Sequence, residues 1–350
     1  MKNIVKNLSV YGLGHGLIDA VCAGVLFSIL KFDLTNFPFF GLVVLYGILA
    51  FALQVPFGVL ADKFKAPKQF ALGGIVFNFF AVFLLFYSPL TAVVLAGIGN
   101  ALFHVGGGVI SLNLTPKRAT APGIFVAPGA IGLFIGTLIG NLGLFKQEIF
   151  YFLLVLFFVL ITITKLPNLN YKHEKVRVKY FELIFLLLFF AIATRGFVGF
   201  LLIFPWKTNI YLIIFLVFGV FLGKFIGGIL GDKFGWIRIS MISLIISAVL
   251  LTIFPNVWYL AIAGMFLFNI VMPITLVAVS NLFPGRPGFA FGVNCLALIL
   301  GVFPIYFGIK LTSLWLIGAI ILISTAAIYF GLRFSPLNNH RKQRKVYKAN

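Results

Sequence analysis

His15 and Asp19 stand four residues apart in the middle of an apolar run, 8–30. On a helix that spacing puts the imidazole and the carboxylate on one face, close enough to share a proton or a hydrogen bond. Gly12, Gly16 and Ala23 fall on the same side. A second run, 90–113, repeats the pattern with Gly97, Asn100, His104, Gly107, Gly108 and Ser111. Later runs hold Arg195, Lys224, Asn269 and Asn294. Ionisable groups inside apolar spans are costly unless they face a wet cavity or a partner, so they are functional candidates by default. Histidine and aspartate can pass protons, arginine can hold an anion, and asparagine can bond either. Asp19, His104 and Arg195 are expected to line one central cavity. Structural alternatives stay open. Asp19 can be a buried carboxylate tied to His15, and His104 a packing histidine bonded to a carbonyl. Arg195 can pair with Asp19 across the chain and hold one conformation. Lys224 lies near one end of its run, so its ammonium is expected to snorkel to the surface.

The elements that carry these residues follow from composition. The chain has 350 residues, 62% hydrophobic and 10% charged, with mean hydropathy +1.14. Runs long enough to span a bilayer recur throughout, at 8–30, 38–60, 69–87, 90–113, 123–145, 148–166, 181–204, 209–231, 237–254, 257–282, 288–309 and 312–332. They are continuous rather than alternating, which excludes a membrane β-barrel. The first carries His15 and Asp19 and has no small-residue cleavage site, so it is not a cleaved signal peptide.

A net charge of +20 suggests nucleic acid, but the positions of the charges argue against it. With both termini assigned to the cytoplasm, all but six of the 27 Lys and Arg fall on that side. The exceptions are Lys31, Lys146, Lys207 and Lys310 on the other side, and Arg195 and Lys224 within spans. This is the positive-inside bias of a membrane protein with both termini inside. The two cysteines, Cys22 and Cys295, lie within spans and imply neither a disulfide nor a metal site. No nucleophile–base pair, phosphate loop or metal cluster appears in the loops, so no enzyme is expected.

One loop sequence occurs twice. Residues 58–68 read GVLADKFKAPK and 228–238 read GILGDKFGWIR, 170 residues apart. A repeat at half the chain length predicts two similar bundles. The expected fold is therefore an all-α polytopic membrane protein with twelve transmembrane helices in two pseudo-symmetric six-helix bundles. The expected division is 1–166 for the first bundle, 167–180 for a cytoplasmic linker that includes His173, 181–333 for the second bundle and 334–350 for a basic tail. Asp62 and Asp232 each close a helix at its C-terminal end, where the helix dipole disfavours an anion. Repeat symmetry supplies compensation from the opposite bundle. Asp62 is expected near Arg286 and Gly288, and Asp232 near Arg118 and Gly123. The gating latch so formed comprises Gly58, Asp62 and Lys63 of the first copy, Gly228, Asp232, Lys233 and Gly235 of the second, and Arg118 and Arg286. The first copy has Lys65 where the second has Gly235, and is expected to be the looser of the two.

Two six-helix halves, a cytoplasmic linker and this repeated Gly-x-Leu-(Ala/Gly)-Asp-Lys loop resemble the major facilitator transporters. A narrower resemblance, to the fosmidomycin-resistance type, covers most of the chain. It rests on His15 with Asp19, on Gly97-Ile-Gly-Asn-Ala-Leu-Phe-His104, on Ile124-Phe125 with Gly129, and on the runs 226–233 and 282–288. The chain departs from that type in having Val105-Gly106 after His104, where Pro-Glu is usual. The resemblance implies alternating access, with charge–dipole latches at the loops. It also places the helices that bear the glycine stripes 132/136/140 and 219/223/227/231 side by side between the bundles. It implies proton-coupled efflux of a small organic solute driven by the proton gradient, without other cofactors. Asp19, His15, His104, Arg195, Asn100, Asn269 and Asn294 are the expected coupling or substrate residues. One carboxylate against Arg195 and two histidines favours an anionic solute. The helix-4 Arg and the full helix-5 Gly-Pro-x-x-Gly-Gly pattern of drug/proton antiporters are absent. The expected partners are a small-molecule substrate and the bilayer of a prokaryotic-type plasma membrane, with no nucleic acid, the protein acting as a monomer. A metabolite importer or facilitator on the same fold is the alternative, and a non-transporting membrane sensor or assembly partner the alternative of another class.

Overall fold

The computed structural model describes residues 2–31, 38–166, 169, 171 and 178–335. The remainder of the expected linker, His173 included, and the tail beyond 335 lie outside the described residues. Among the described residues every regular element is helical. The helices are α1 (Lys2–Ser28), α2 (Phe39–Phe64), α3 (Pro67–Leu84), α4 (Pro89–Leu114), α5 (Thr120–Leu142) and α6 (Gln147–Ile163). They continue as α7 (Phe181–Leu201), α8 (Ile210–Phe234), α9 (Trp236–Ile253), α10 (Trp258–Ser280), α11 (Pro287–Tyr306) and α12 (Leu314–Phe334). Eleven are long and apolar enough to cross a bilayer, and α6 has 17 residues. Helices are the form that apolar runs must take there, since every backbone N–H then finds its partner within the segment. Prolines open α3, α4 and α11, where a missing N–H is harmless.

α1 packs along α5 and also touches α4 and α6, while α3 packs on α4 and α6. In the second half α7 packs on α11 and α12, α9 on α10 and α12, and α8 on α10. The halves meet where α2 contacts α11 and α5 contacts α8. Large apolar side chains on the outer helices, such as Phe152, Ile242 and Leu322, are exposed, as a lipid-facing surface requires.

The glycine stripes correct one expectation. α5 and α8 do touch, but the stripes face their own halves. A Cβ at Gly132 or Gly136 would fall on the carbonyl oxygen of Gly16 or Ala20 in α1. Those at Gly219, Gly223, Gly227 and Gly231 would meet Ile262, Phe266, Ile270 and Ile274 of α10. A four-residue stripe suits helices packed along their length. α5 and α8 pack through other residues, most closely at Gly123 against the Lys224 carbonyl and Gly228 against that of Ala119.

Three helices are interrupted where proline removes a ladder donor. α2 has a π turn at Ile48–Ala52 before Pro56, α5 breaks at Ala127 before Pro128, and α10 breaks at Ile270 before Pro273.

Candidate functional site

The break in α5 prepares the site. Near Pro128 the carbonyl of Phe125 meets a side chain, the Nδ1 of His15 at 2.8 Å. His104 Nδ1 faces the carbonyl of Asn100, one turn earlier on α4, at 2.9 Å. A carbonyl oxygen only accepts, so each Nδ1 carries its hydrogen, and a neutral ring is left with a bare Nε2. Both Nε2 atoms point at Asp19, His15 at 3.2 Å from Oδ2 and His104 at 3.5 Å from Oδ1. Two lone pairs and a carboxylate thus converge on one spot. That arrangement is unfavourable unless a cation lies among them, and a proton on either Nε2 turns repulsion into an ion pair. Asn100 Nδ2 donates to Asp19 Oδ1 at 3.0 Å and orients the carboxylate. The rings meet edge to face, with centroids 4.3 Å apart. The side chains of His15, Asp19 and His104 keep 6%, 18% and 12% of their exposure, so the cluster is buried but not sealed. Gly129 leaves room for it, since a Cβ there would lie 2.5 Å from Asp19 Oδ2 and 2.6 Å from His15 Nε2.

Behind Asp19, Cys22 Sγ donates to Asn78 Oδ1 at 3.0 Å, and Asn78 Nδ2 donates to the Gly74 carbonyl at 2.9 Å. These two residues, absent from the expected set, couple α1 to α3. The signal for Cys22 was its place three residues after Asp19, on the same helical face.

The other expected residues do not join the cluster. Arg195 Nη1 donates to Thr275 Oγ1 of α10 at 3.1 Å and forms no ion pair with Asp19, which corrects the cross-chain pairing. The carboxylate is already enclosed by the two imidazoles and Asn100 from its own half. Asn269 and Asn294 donate to their own helices, to the carbonyls of Met265 and Ala290 at 2.9 and 2.8 Å. Lys224 is half-buried and within electrostatic reach of both Asp19 and Arg195. Ten residues of α8 follow it, about 15 Å of helix, too far for the expected snorkelling at that end. A pocket of about 730 Å³ opens beside α1, α5 and α6, with Phe221 and Phe225 of α8 at its side. Asp19, His104 and Arg195 are not among its lining residues.

The two loop motifs meet opposite helix ends. Asp62 Oδ1 and Oδ2 accept the amides of Gly288 and Phe289, at the start of α11, at 2.8 and 2.9 Å. Asp232 accepts the amides of Ala119 and Thr120, at the start of α5, at 3.0 and 2.9 Å. It also accepts the Thr120 hydroxyl at 2.6 Å and the Trp236 indole N–H at 2.9 Å. Each carboxylate thus sits where free N–H groups and the positive helix end favour an anion. A Cβ on Gly58 or Gly228 would fall on the carbonyl oxygen of Gly288 or Ala119, so only glycine permits the approach. Arg118 and Arg286 are exposed at these helix starts. No ion pair joins Arg118 to Asp232, so the peptide dipoles carry that contact without the arginine charge. Lys63 and Lys233 point away, each over the ring of the following phenylalanine. Tyr171 packs beside Ala61, and burial together with the Asp62 charge pushes its phenol pKa up.

Residues 12–297 match the family model described as Major Facilitator Superfamily. The chain belongs to that superfamily. Solved structures of the facilitator fold agree. The E. coli fucose:proton symporter FucP aligns at 12% identity with TM-score 0.65, over 95% of this chain and 97% of that one. A structure of FucP in the outward conformation aligns at 16% with TM-score 0.67, over 93% and 98%. The human organic anion transporter MFSD10 aligns at 13% with TM-score 0.68, over 93% and 99%. No curated protein matches the sequence. The expected fold class holds: this facilitator is an all-helical, multi-pass integral membrane protein with a transporter fold.

Proposed function

We propose that this facilitator is a proton-coupled secondary transporter of the fosmidomycin-resistance type, which exports a small organic anion by alternating access. The observation that carries this reading is the convergence of two bare imidazole nitrogens on Asp19, a geometry that calls for a proton. Arg195 and Lys224, on the opposite half, supply positive charge for an anion. The facilitator fold accommodates both features, since its solved examples include a proton symporter and an organic anion transporter. Asp62 and Asp232 are the latches that hold the two halves together at one membrane face. The lysine and arginine distribution supports cytoplasmic termini in a prokaryotic-type plasma membrane. The protein works as a monomer, with the proton gradient in place of any cofactor.

Proteoliposomes with a trapped pH dye test this reading against a panel of anionic metabolites and phosphonates. At least one solute is expected to drive proton flux, and Asp19→Asn to reduce that flux at least tenfold. Proton and solute moving in opposite directions mark export, and co-movement would mark the importer instead. A mutant carrying protons like the parent would remove Asp19 from coupling.

A further inference from the structure

We propose that His15, Asp19 and His104 form a binding site for one divalent transition-metal ion, with zinc and cobalt as the best-fitting kind. The expectation of no metal centre rested on the two cysteines and on the loops. These three ligands lie on two helices, with Asp19 and His104 85 residues apart (104 − 19) in sequence, and come together only in the fold.

The donor atoms all lie within 4.8 Å of one another. Zinc binds nitrogen and oxygen donors at about 2.1 Å, so neighbouring ligands of a tetrahedral ion stand about 3.4 Å apart. His15 Nε2 stands 3.2 Å from Asp19 Oδ2 and His104 Nε2 3.5 Å from Asp19 Oδ1, close to that value, while the widest donor pair, within 4.8 Å, has to draw in around the ion. Two imidazoles and one carboxylate suit a borderline metal rather than calcium or magnesium, which take oxygen donors.

The surroundings match as well. Metal-bound histidines as a rule give their second ring N–H to a backbone carbonyl or a carboxylate, which fixes the ring. Both do so here, His15 to Phe125 and His104 to Asn100. The carboxylate is likewise held by Asn100 Nδ2 at 3.0 Å. A methyl group at Gly129 would stand between two of the ligands, so that glycine leaves the position open. Lys224 lies within electrostatic reach of Asp19 and opposes a bound cation. Its charge is expected to weaken the site rather than abolish it.

The inference stands on ligand geometry and is tested by binding alone, so its outcome is independent of whether the protein moves protons. Tag-free protein in detergent is titrated with cobalt chloride and followed by the visible ligand-field absorption. Zinc chloride calorimetry gives the stoichiometry. The expected result is one ion per chain, with affinity reduced at least tenfold in His104→Ala, Asp19→Asn and Gly129→Ala. Lys224→Gln is expected to bind several-fold more tightly. His173 and His340, the other two histidines of the chain, stay in every variant. Thermal melting checks that each variant is folded, and Asn100→Ala, expected to weaken binding about tenfold, replaces any that is not. Absence of a saturable equivalent, or unchanged binding in folded His104→Ala or Asn100→Ala, would overturn the site.

Discussion

Asp19 is held by three side chains, in two different ways. Asn100 donates a hydrogen bond whatever the protonation state, whereas the two imidazoles do so only when Nε2 is protonated. The carboxylate therefore stays oriented while its charge balance changes. Gly129 is the sensitive point beside it. A methyl group there would stand 2.5 and 2.6 Å from two of the reacting atoms, and overpacking of this kind costs about 1–3 kcal/mol. Gly129→Ala is expected to lower proton flux at least tenfold while the melting temperature moves by only a few degrees. Flux in proteoliposomes and a thermal melt on one preparation check both parts, and an unchanged flux would mean that the cluster tolerates displacement. Much of this site was legible in the sequence. The spacing of His15 and Asp19, and of Asn100 and His104, put each pair on one face of a helix. The Phe125 carbonyl was not legible, because every residue has one and only its surroundings make it available. Arg195, Asn269 and Asn294 were singled out by type, but a polar group in an apolar span can donate to a neighbouring hydroxyl or its own helix, as all three do, although Asn294 Oδ1 stays without a partner.

Among the helices, α5 has the most to do. Its first turn meets Asp232, its break lies beside His15, and its glycines let α1 approach. Pro128 separates these tasks. Replacing it with alanine restores an N–H and permits a continuous helix, a change that favours the helix by about 3 kcal/mol in an exposed setting. The restored N–H reaches the Ile124 carbonyl, four residues earlier, and straightening the break there shifts the neighbouring Phe125 carbonyl relative to His15. Pro128→Ala is thus expected to keep or raise thermal stability and to reduce proton flux at least several-fold, measured by melting and dye-reported flux. Equal flux would detach the break from the site. At this scale the twelve runs and most helix ends were readable from hydropathy. The partners of the glycine stripes were not. Periodicity marks the face that needs a close neighbour, but which helix fills it depends on contacts between segments far apart in the chain.

The whole molecule is joined by two similar contacts whose surroundings differ. Thr120 and Trp236 add side-chain donors to Asp232, while the residues in the matching places of the first copy are Phe289 and Ala66, which have none to give. The turns differ too. Lys65 closes its helix at φ 52° and ψ 37°, left-handed space that disfavours a side chain, whereas Gly235 takes φ 101° and ψ 133°, a conformation open essentially to glycine. A hydrogen bond to a charged group contributes about 1.5–3 kcal/mol, and 1.4 kcal/mol is tenfold in population. Asp232→Asn keeps one acceptor and turns the other into a donor facing a donor, so it is expected to open this end of the molecule, and Asp62→Asn does the same against the Gly288 and Phe289 amides. Ser111→Cys provides the reporter. It lies buried near the latch end of α4, in a background of Cys22→Ala and Cys295→Ala. Labelling by a membrane-impermeant maleimide, applied from the side the latches close, should rise at least tenfold with Asp232→Asn and rise as well with Asp62→Asn. No increase in either would mean that neither carboxylate restrains opening, and the alternating-access role of the repeated loop would fall with it.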